Sequence, residues 1–231
     1  MSMTSKEILN YIYNLVMDFF YPPRCPICER YIENRSDIFC DECKGKILSV
    51  ERSPKEVTPL KEIWRLTKYK EGTRELIRDL KFNNNLSWLP TINRILDKAL
   101  VSSVELQKLL TKVDIATAVP LHAEREKKRG FNQVELIFNK WLSQQNIPME
   151  KLLLRIKSTD HLYDKNIEER KKEIIGAFAL AEDVTDKING KNILILDDIF
   201  TTGTTMSECA KILQENKAAE IYGLSLASNF Q

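Results

Sequence analysis

The chain has 231 residues, 43% hydrophobic and 29% charged, which is enough to bury a sizeable core in one domain with or without a small attached module. Its 35 Lys and Arg nearly balance 33 Asp and Glu, and the net charge of +2 excludes a protein that coats nucleic acid through bulk charge, though not local basic patches. No apolar run approaches the roughly 20 residues of a bilayer span, and no signal-peptide cleavage pattern follows the first apolar segment, so the sequence reads as cytoplasmic with no membrane span.

The first segment, "TSKEILNYIYNLVMDFFYPP", sets Ile8, Ile12, Leu15, Val16 and Phe19 on one face of an amphipathic helix that packs on its own domain. Cys25 and Cys28, then Cys40 and Cys43, form two Cys-x-x-Cys pairs with eleven residues between them. Four thiolates at that spacing suit a tetrahedral, structural zinc ion, whose binding supplies stability that so short a segment cannot draw from a core. Two disulfides are the alternative, disfavoured in a reducing cytosol. A stretch with Pro54 and Pro59 follows, which places the division near residue 60: an N-terminal helix and zinc-binding module over 1–60 and a main domain over 61–231.

Segments 61–82 and 91–110 read as helices, with "NNNLSWLP" as the break between them. "VDIATAVP" reads as a strand. "RGFNQVELIFNKWLSQQN" is helical after Gly130, with Val134, Ile137, Phe138 and Trp141 on one face. "KNILILDD" and "EIYGLSLAS" have the short, continuous apolar runs of buried strands. Alternating strands and helices predict an α/β main domain with a mostly parallel sheet and helices on both faces. Cys209 is expected to be a small buried helix residue.

The stretch "ILILDDIFTTGTT" raises a question of charge, because it ends an apolar strand with Asp197 and Asp198 and follows at once with Thr201, Thr202, Gly203, Thr204 and Thr205. Strand carboxyl ends are where open α/β sheets bind ligands. Thr201 to Thr205 would enter a helix carrying Met206, Cys209, Ala210 and Leu213, and amides at a helix start, with threonine hydroxyls and the helix dipole, suit a phosphate monoester. Gly203 lets the backbone curl close to the anion. The carboxylates repel phosphate but accept hydrogen bonds from ribose hydroxyls or hold a divalent cation, so a sugar phosphate fits both halves. A P-loop is excluded, since no Gly-x-x-x-x-Gly-Lys-Ser/Thr occurs.

"LDDIFTTGTT" resembles the signature of type I phosphoribosyltransferases. The resemblance implies 5-phosphoribosyl-1-pyrophosphate as substrate, magnesium as cofactor, Asp197 and Asp198 as the catalytic acids facing the ribose, and Thr201 to Thr205 around the 5-phosphate. "AVPLH", "RGFNQ", "YKEGTRELIRDLKF" and the four-cysteine module are similar to the ComF family of natural competence and DNA uptake. The turn at Pro120, Leu121 and His122 then suits pyrophosphate, with Arg125 and Arg129, beside Lys127 and Lys128, to neutralise it. His122 itself reads best as a turn residue. The segment around His161 corresponds to a loop closing over substrate, and it departs from the family pattern at Leu162 or Tyr163 and at Glu173, while Ala123 replaces a common proline.

Two functions follow. One is a Mg-dependent phosphoribosyltransferase behind a zinc module. The other is a non-catalytic adaptor or nucleotide sensor in natural transformation, binding a DNA-translocating ATPase and single-stranded DNA, with Tyr31 and Phe39 beside Arg24, Arg30, Arg35 and Lys44 offering stacking and phosphate contacts.

Overall fold

The computed structural model describes residues 24, 25, 27–32, 39–157 and 173–229; the amphipathic segment before Arg24 and the expected closing loop around His161 lie outside them. The chain divides into two compact units that meet in sequence between Ile47 and Leu48.

In the first unit the turn after Cys25 is closed by the Glu29 amide on the Cys25 carbonyl and the Cys25 amide on the Arg30 carbonyl, both at 2.8 Å. A short helix, Asp41–Ile47, carries Asp41 and Glu42 in its first turn, where the helix dipole favours negative charge. Ile32, Phe39 and Ile47 are buried, as are Cys25 and Cys43.

The second unit is built on a five-stranded sheet. Its strands are β1 (Leu48–Arg52), β2 (Glu62–Lys68), β3 (Ile115–Ala118), β6 (Ile193–Phe200) and β7 (Ile221–Ser228), in the spatial order β1-β2-β7-β6-β3. Every neighbouring pair is parallel except β1 with β2. A separate antiparallel pair joins β4 (Leu153–Arg155) to β5 (Phe178–Leu180). The α/β class expected from the sequence, with a mostly parallel sheet, is the observed one.

The central strands are mainly apolar because both of their faces are covered: all eight residues of β7 are buried. On one face Ile193 and Ile195 share a core with Phe178 and with Met206, Cys209, Ala210 and Leu213 of the Thr204–Glu215 helix. The pleat turns Leu194 and Leu196 to the other face. Helix Gln133–Gln144 lies against β6, burying Val134, Ile137, Phe138 and Trp141, and helix Leu89–Ser102 packs against it.

Three expectations change. Residues 62–68 are strand β2 and not the start of a helix, and only Glu71–Phe82 is helical. The apolar residues of "EIWRLTK" fit either period, and pairing with β7 decides the matter, with Thr67 Oγ1 donating to the Leu226 carbonyl at 2.7 Å. The main sheet also begins earlier than a boundary near residue 60 implies, because Leu48–Arg52 pairs with β2 across the proline-bearing stretch. Helix formers over 91–110 split into Leu89–Ser102 and Val104–Leu110, where the Ser103 hydroxyl caps the Leu106 amide at 3.2 Å.

Candidate functional site

The sheet opens a cleft where two parallel strands part. β3 pairs with β6 as far as Ala118 beside Leu196, the Val119 amide donates once more to the Leu196 carbonyl at 2.9 Å, and the chain then turns away at Pro120. β6 runs on to Phe200 because β7 still pairs with it on the other edge, so Asp197 and Asp198 lie within the strand, just short of its end. The edge of β6 left bare past Leu196 borders a cleft of about 300 Å³, lined by both aspartates, Thr201 and Thr205 on one side and by Pro120, Leu121, Arg125 and Arg129 on the other.

The two carboxylates differ in their surroundings. Successive strand residues point to opposite faces. Asp198 is 2% exposed and has a partner at each oxygen: Lys81 Nζ stands 2.7 Å from Oδ1, and Gln133 Nε2 donates to Oδ2 at 2.6 Å. Asp197 is half-buried and accepts the Asp198 amide at 2.8 Å. Burial and then the Asp198 charge push its carboxyl up to about 7, against weaker opposing pulls from Lys81 and Arg155.

Beyond Phe200 the threonine loop closes on Gly203, whose φ of 83° lies in the left-handed region, and a Cβ there would stand 3.0 Å from Phe200 and Val57 side chains. The Thr204–Glu215 helix follows with no side chain capping its start, and its first backbone bond runs from the Ser207 amide to the Gly203 carbonyl at 2.8 Å. The amides of Thr204, Thr205 and Met206 therefore have no acceptor within the helix. A small hollow opens at this point, bounded by Asp197, Thr201, Gly203, Thr204 and Thr205. Thr202 instead bonds Thr204, hydroxyl to hydroxyl at 2.9 Å.

"EREKKR" forms a helix, Ala123–Arg129, that ends on Gly130 at φ 85° with its amide on the Glu126 carbonyl. Arg125 and Arg129 line the cleft, and Lys128 joins them with Lys81 and Phe82 around an adjoining hollow of about 650 Å³. His122 lies outside the cleft lining; its ring stands 3.9 Å from a Glu124 oxygen, and its backbone bridges to Arg155. The turn reading of this residue fits.

The cysteines of the smaller unit converge. The sulfurs of Cys25, Cys28, Cys40 and Cys43 lie within 4.8 Å of one another, and those of Cys28 and Cys40 are 3.5 Å apart. Zn–S bonds of about 2.3 Å at tetrahedral angles put sulfurs about 3.8 Å apart, so the donor set fits zinc. Burial opposes ionisation of Cys25, yet the backbone amides of Cys40, Ile27 and Cys28 bring its thiol down to about 7, while burial and the other sulfurs push Cys43 up. A divalent cation relieves that crowding. Cys209 is fully buried and burial pushes its thiol up, as expected of an inert core residue.

Residues 16–54 match the double zinc ribbon family. The DNA utilization protein YhgH of Escherichia coli K12 is 28% identical over 207 residues, covering 85% of this chain and 86% of that protein. Competence protein F of Haemophilus influenzae is 29% identical over 165 residues, 69% of each chain, and competence protein ComFC of Bacillus subtilis is 28% identical over 113 residues, 48% of this chain and 43% of that one. The resemblance to the ComF proteins holds. Among solved structures, the allosteric regulatory enzyme of purine biosynthesis aligns over 58% of this chain and 24% of its own at 18% identity and a TM-score of 0.35. The hypoxanthine-guanine phosphoribosyl transferase of L. donovani aligns over 58% and 67% at 15% identity and a TM-score of 0.34.

In this ComF-like chain the structure adds Lys81, Gln133, Phe82 and Arg155 to the cleft residues that sequence reasoning named. Lys81 and Gln133 stand inside quoted motifs, "YKEGTRELIRDLKF" and "RGFNQ", but the sequence alone does not reveal that both reach one carboxylate. The four-cysteine cluster supports structural zinc. No described helix is long and apolar enough to cross a membrane.

Proposed function

We propose that the larger unit binds 5-phosphoribosyl-1-pyrophosphate with magnesium and transfers its ribosyl group to a nitrogenous acceptor. One observation carries the reading: an uncapped helix start behind Gly203, the half-buried Asp197 and the Arg125 and Arg129 wall all border the carboxyl end of β6. A terminal phosphate suits the helix start, the ribose hydroxyls suit the carboxylates, and pyrophosphate suits the arginines. Asp197 is the carboxylate that fits a cation, since both Asp198 oxygens are engaged. Magnesium, when bound, supplies charge neutralisation at the pyrophosphate.

The acceptor nitrogen attacks C1 of the ribose, the bond from C1 to the pyrophosphate oxygen breaks with its electron pair leaving on pyrophosphate, and the acceptor loses its proton. Arg125 and Arg129 stabilise the leaving charge, and the cleft fixes the geometry. Incubation with phosphoribosyl pyrophosphate, magnesium and a panel of nucleobases tests the transfer: pyrophosphate released with one base supports it, and release with none, while the substrate still binds, removes catalysis and leaves binding.

The relatives' names, DNA utilization protein and competence protein, support a role in competence or DNA utilization; the second reading for such a role is a non-catalytic adaptor or nucleotide sensor in natural transformation that contacts single-stranded DNA and a DNA-translocating ATPase. In the zinc module Tyr31 is exposed and suits stacking, whereas Phe39 is 2% exposed and so closed to a base, and Arg30 is paired with Glu42. Arg35 and the Lys44 side chain lie outside the described residues. Single-strand binding with a steep salt dependence, lost on removal of Arg24 and Arg30, would favour this reading.

A further inference from the structure

The "RGFNQ" turn joins the basic wall to the acidic strand through one buried side chain. Gln133 is 4% exposed and stands at the first position of the Gln133–Gln144 helix. Its Nε2 donates to Asp198 Oδ2 at 2.6 Å, and its Oε1 accepts from Arg129 Nη1. The amide cannot be turned over: arginine only donates and a carboxylate only accepts, so oxygen must face Arg129 and nitrogen must face Asp198.

The residues around it hold this bridge in place. Gly130 takes the left-handed conformation that ends the preceding helix directly after Arg129. Asn132, 3% exposed, donates to the Val119 carbonyl at 3.1 Å and caps the next helix by accepting the Val134 amide at 3.0 Å. The turn is thus pinned to the place where β3 leaves the sheet. On the far side of Asp198, Lys81 completes the series from the Glu71–Phe82 helix.

We propose that Gln133 is a positioning residue that couples occupancy of the arginine wall to the placement of Asp198. This rests on the phosphoribosyl reading of the cleft and deepens it. An anion held by Arg129 draws on its guanidinium, and through the Gln133 amide this sets where the Asp198 carboxylate lies. A sugar phosphate binding next meets the carboxylate already in that position, and linkage makes the effect reciprocal. Pyrophosphate and ribose 5-phosphate, the two halves of the proposed substrate, should therefore bind cooperatively.

The test is calorimetric titration of the full chain with inorganic pyrophosphate at fixed magnesium, with and without saturating ribose 5-phosphate. The wild-type ratio of the two affinities is expected to be at least about fivefold, the lower end of ordinary coupling between sites. In Gln133→Leu and in Gln133→Glu, which keeps the volume and the Arg129 contact but sets two carboxylates face to face, the ratio should fall to near unity. A purely structural role would alter melting temperature and single-ligand affinities but leave the ratio in place. An unchanged ratio in Gln133→Glu, or a wild-type ratio of one with both halves bound, overturns the proposal. Failure of the wild type to bind either half overturns the phosphoribosyl reading itself, and the coupling with it.

Discussion

Asp197 holds its proton more tightly in the fold than in an unfolded chain, and this gives stability a pH dependence. An unfolded aspartate releases its proton at about pH 4, whereas Asp197 keeps it up to about 7. The folded state holds more protons across that interval, so stability falls as pH rises from about 4 through about 7. Urea melts of Asp197→Asn should show a flatter pH profile than wild type, with the variant the more stable at pH 8; a parallel profile would contradict the assignment. Lys81→Met leaves Asp198 buried with Gln133 alone, a loss of roughly 2–3 kcal/mol, below that of a fully buried pair because the Lys81 side chain is 21% exposed. Adding Asp198→Asn should recover part of that loss in the same melts. Gly203→Ala places a Cβ in a left-handed conformation against Phe200 and Val57, costing at least about 1–2 kcal/mol and weakening any phosphate at the helix start. Denaturation and titration with inorganic phosphate would measure the two effects.

Elements differ in how far they announce themselves. The apolar run of β6 and the threonines after it mark a buried strand entering a helix, and the Cys-x-x-Cys spacing marks the zinc module, because local chemistry fixes both. β2 is different. Arg65, 4% exposed in the middle of that strand, argues against burial until its partners are known: it donates to the Ser228 carbonyl at 3.1 Å and pairs with Glu51, contacts made only after folding. The same holds for Lys81 and Gln133, whose meeting on Asp198 depends on helices far apart in sequence. For the metal module, elemental analysis should find one zinc per chain, and Cys25→Ser or Cys43→Ser should abolish it. Zinc retained in both variants would contradict four-sulfur coordination.

Across the whole molecule, a metal-binding unit of local construction precedes an α/β unit whose cleft is defined by long-range pairing. The alternation of strands and helices is legible in the sequence, while the spatial order of the strands, and the place of the cleft where β3 ends before β6, are encoded by no local pattern. The most direct measurement is calorimetric titration of the full chain with 5-phosphoribosyl-1-pyrophosphate at millimolar magnesium. Saturable binding at one site, weakened by both Gly203→Ala and Arg129→Met, is the predicted result. Absence of binding by the folded, zinc-loaded wild type would contradict the account.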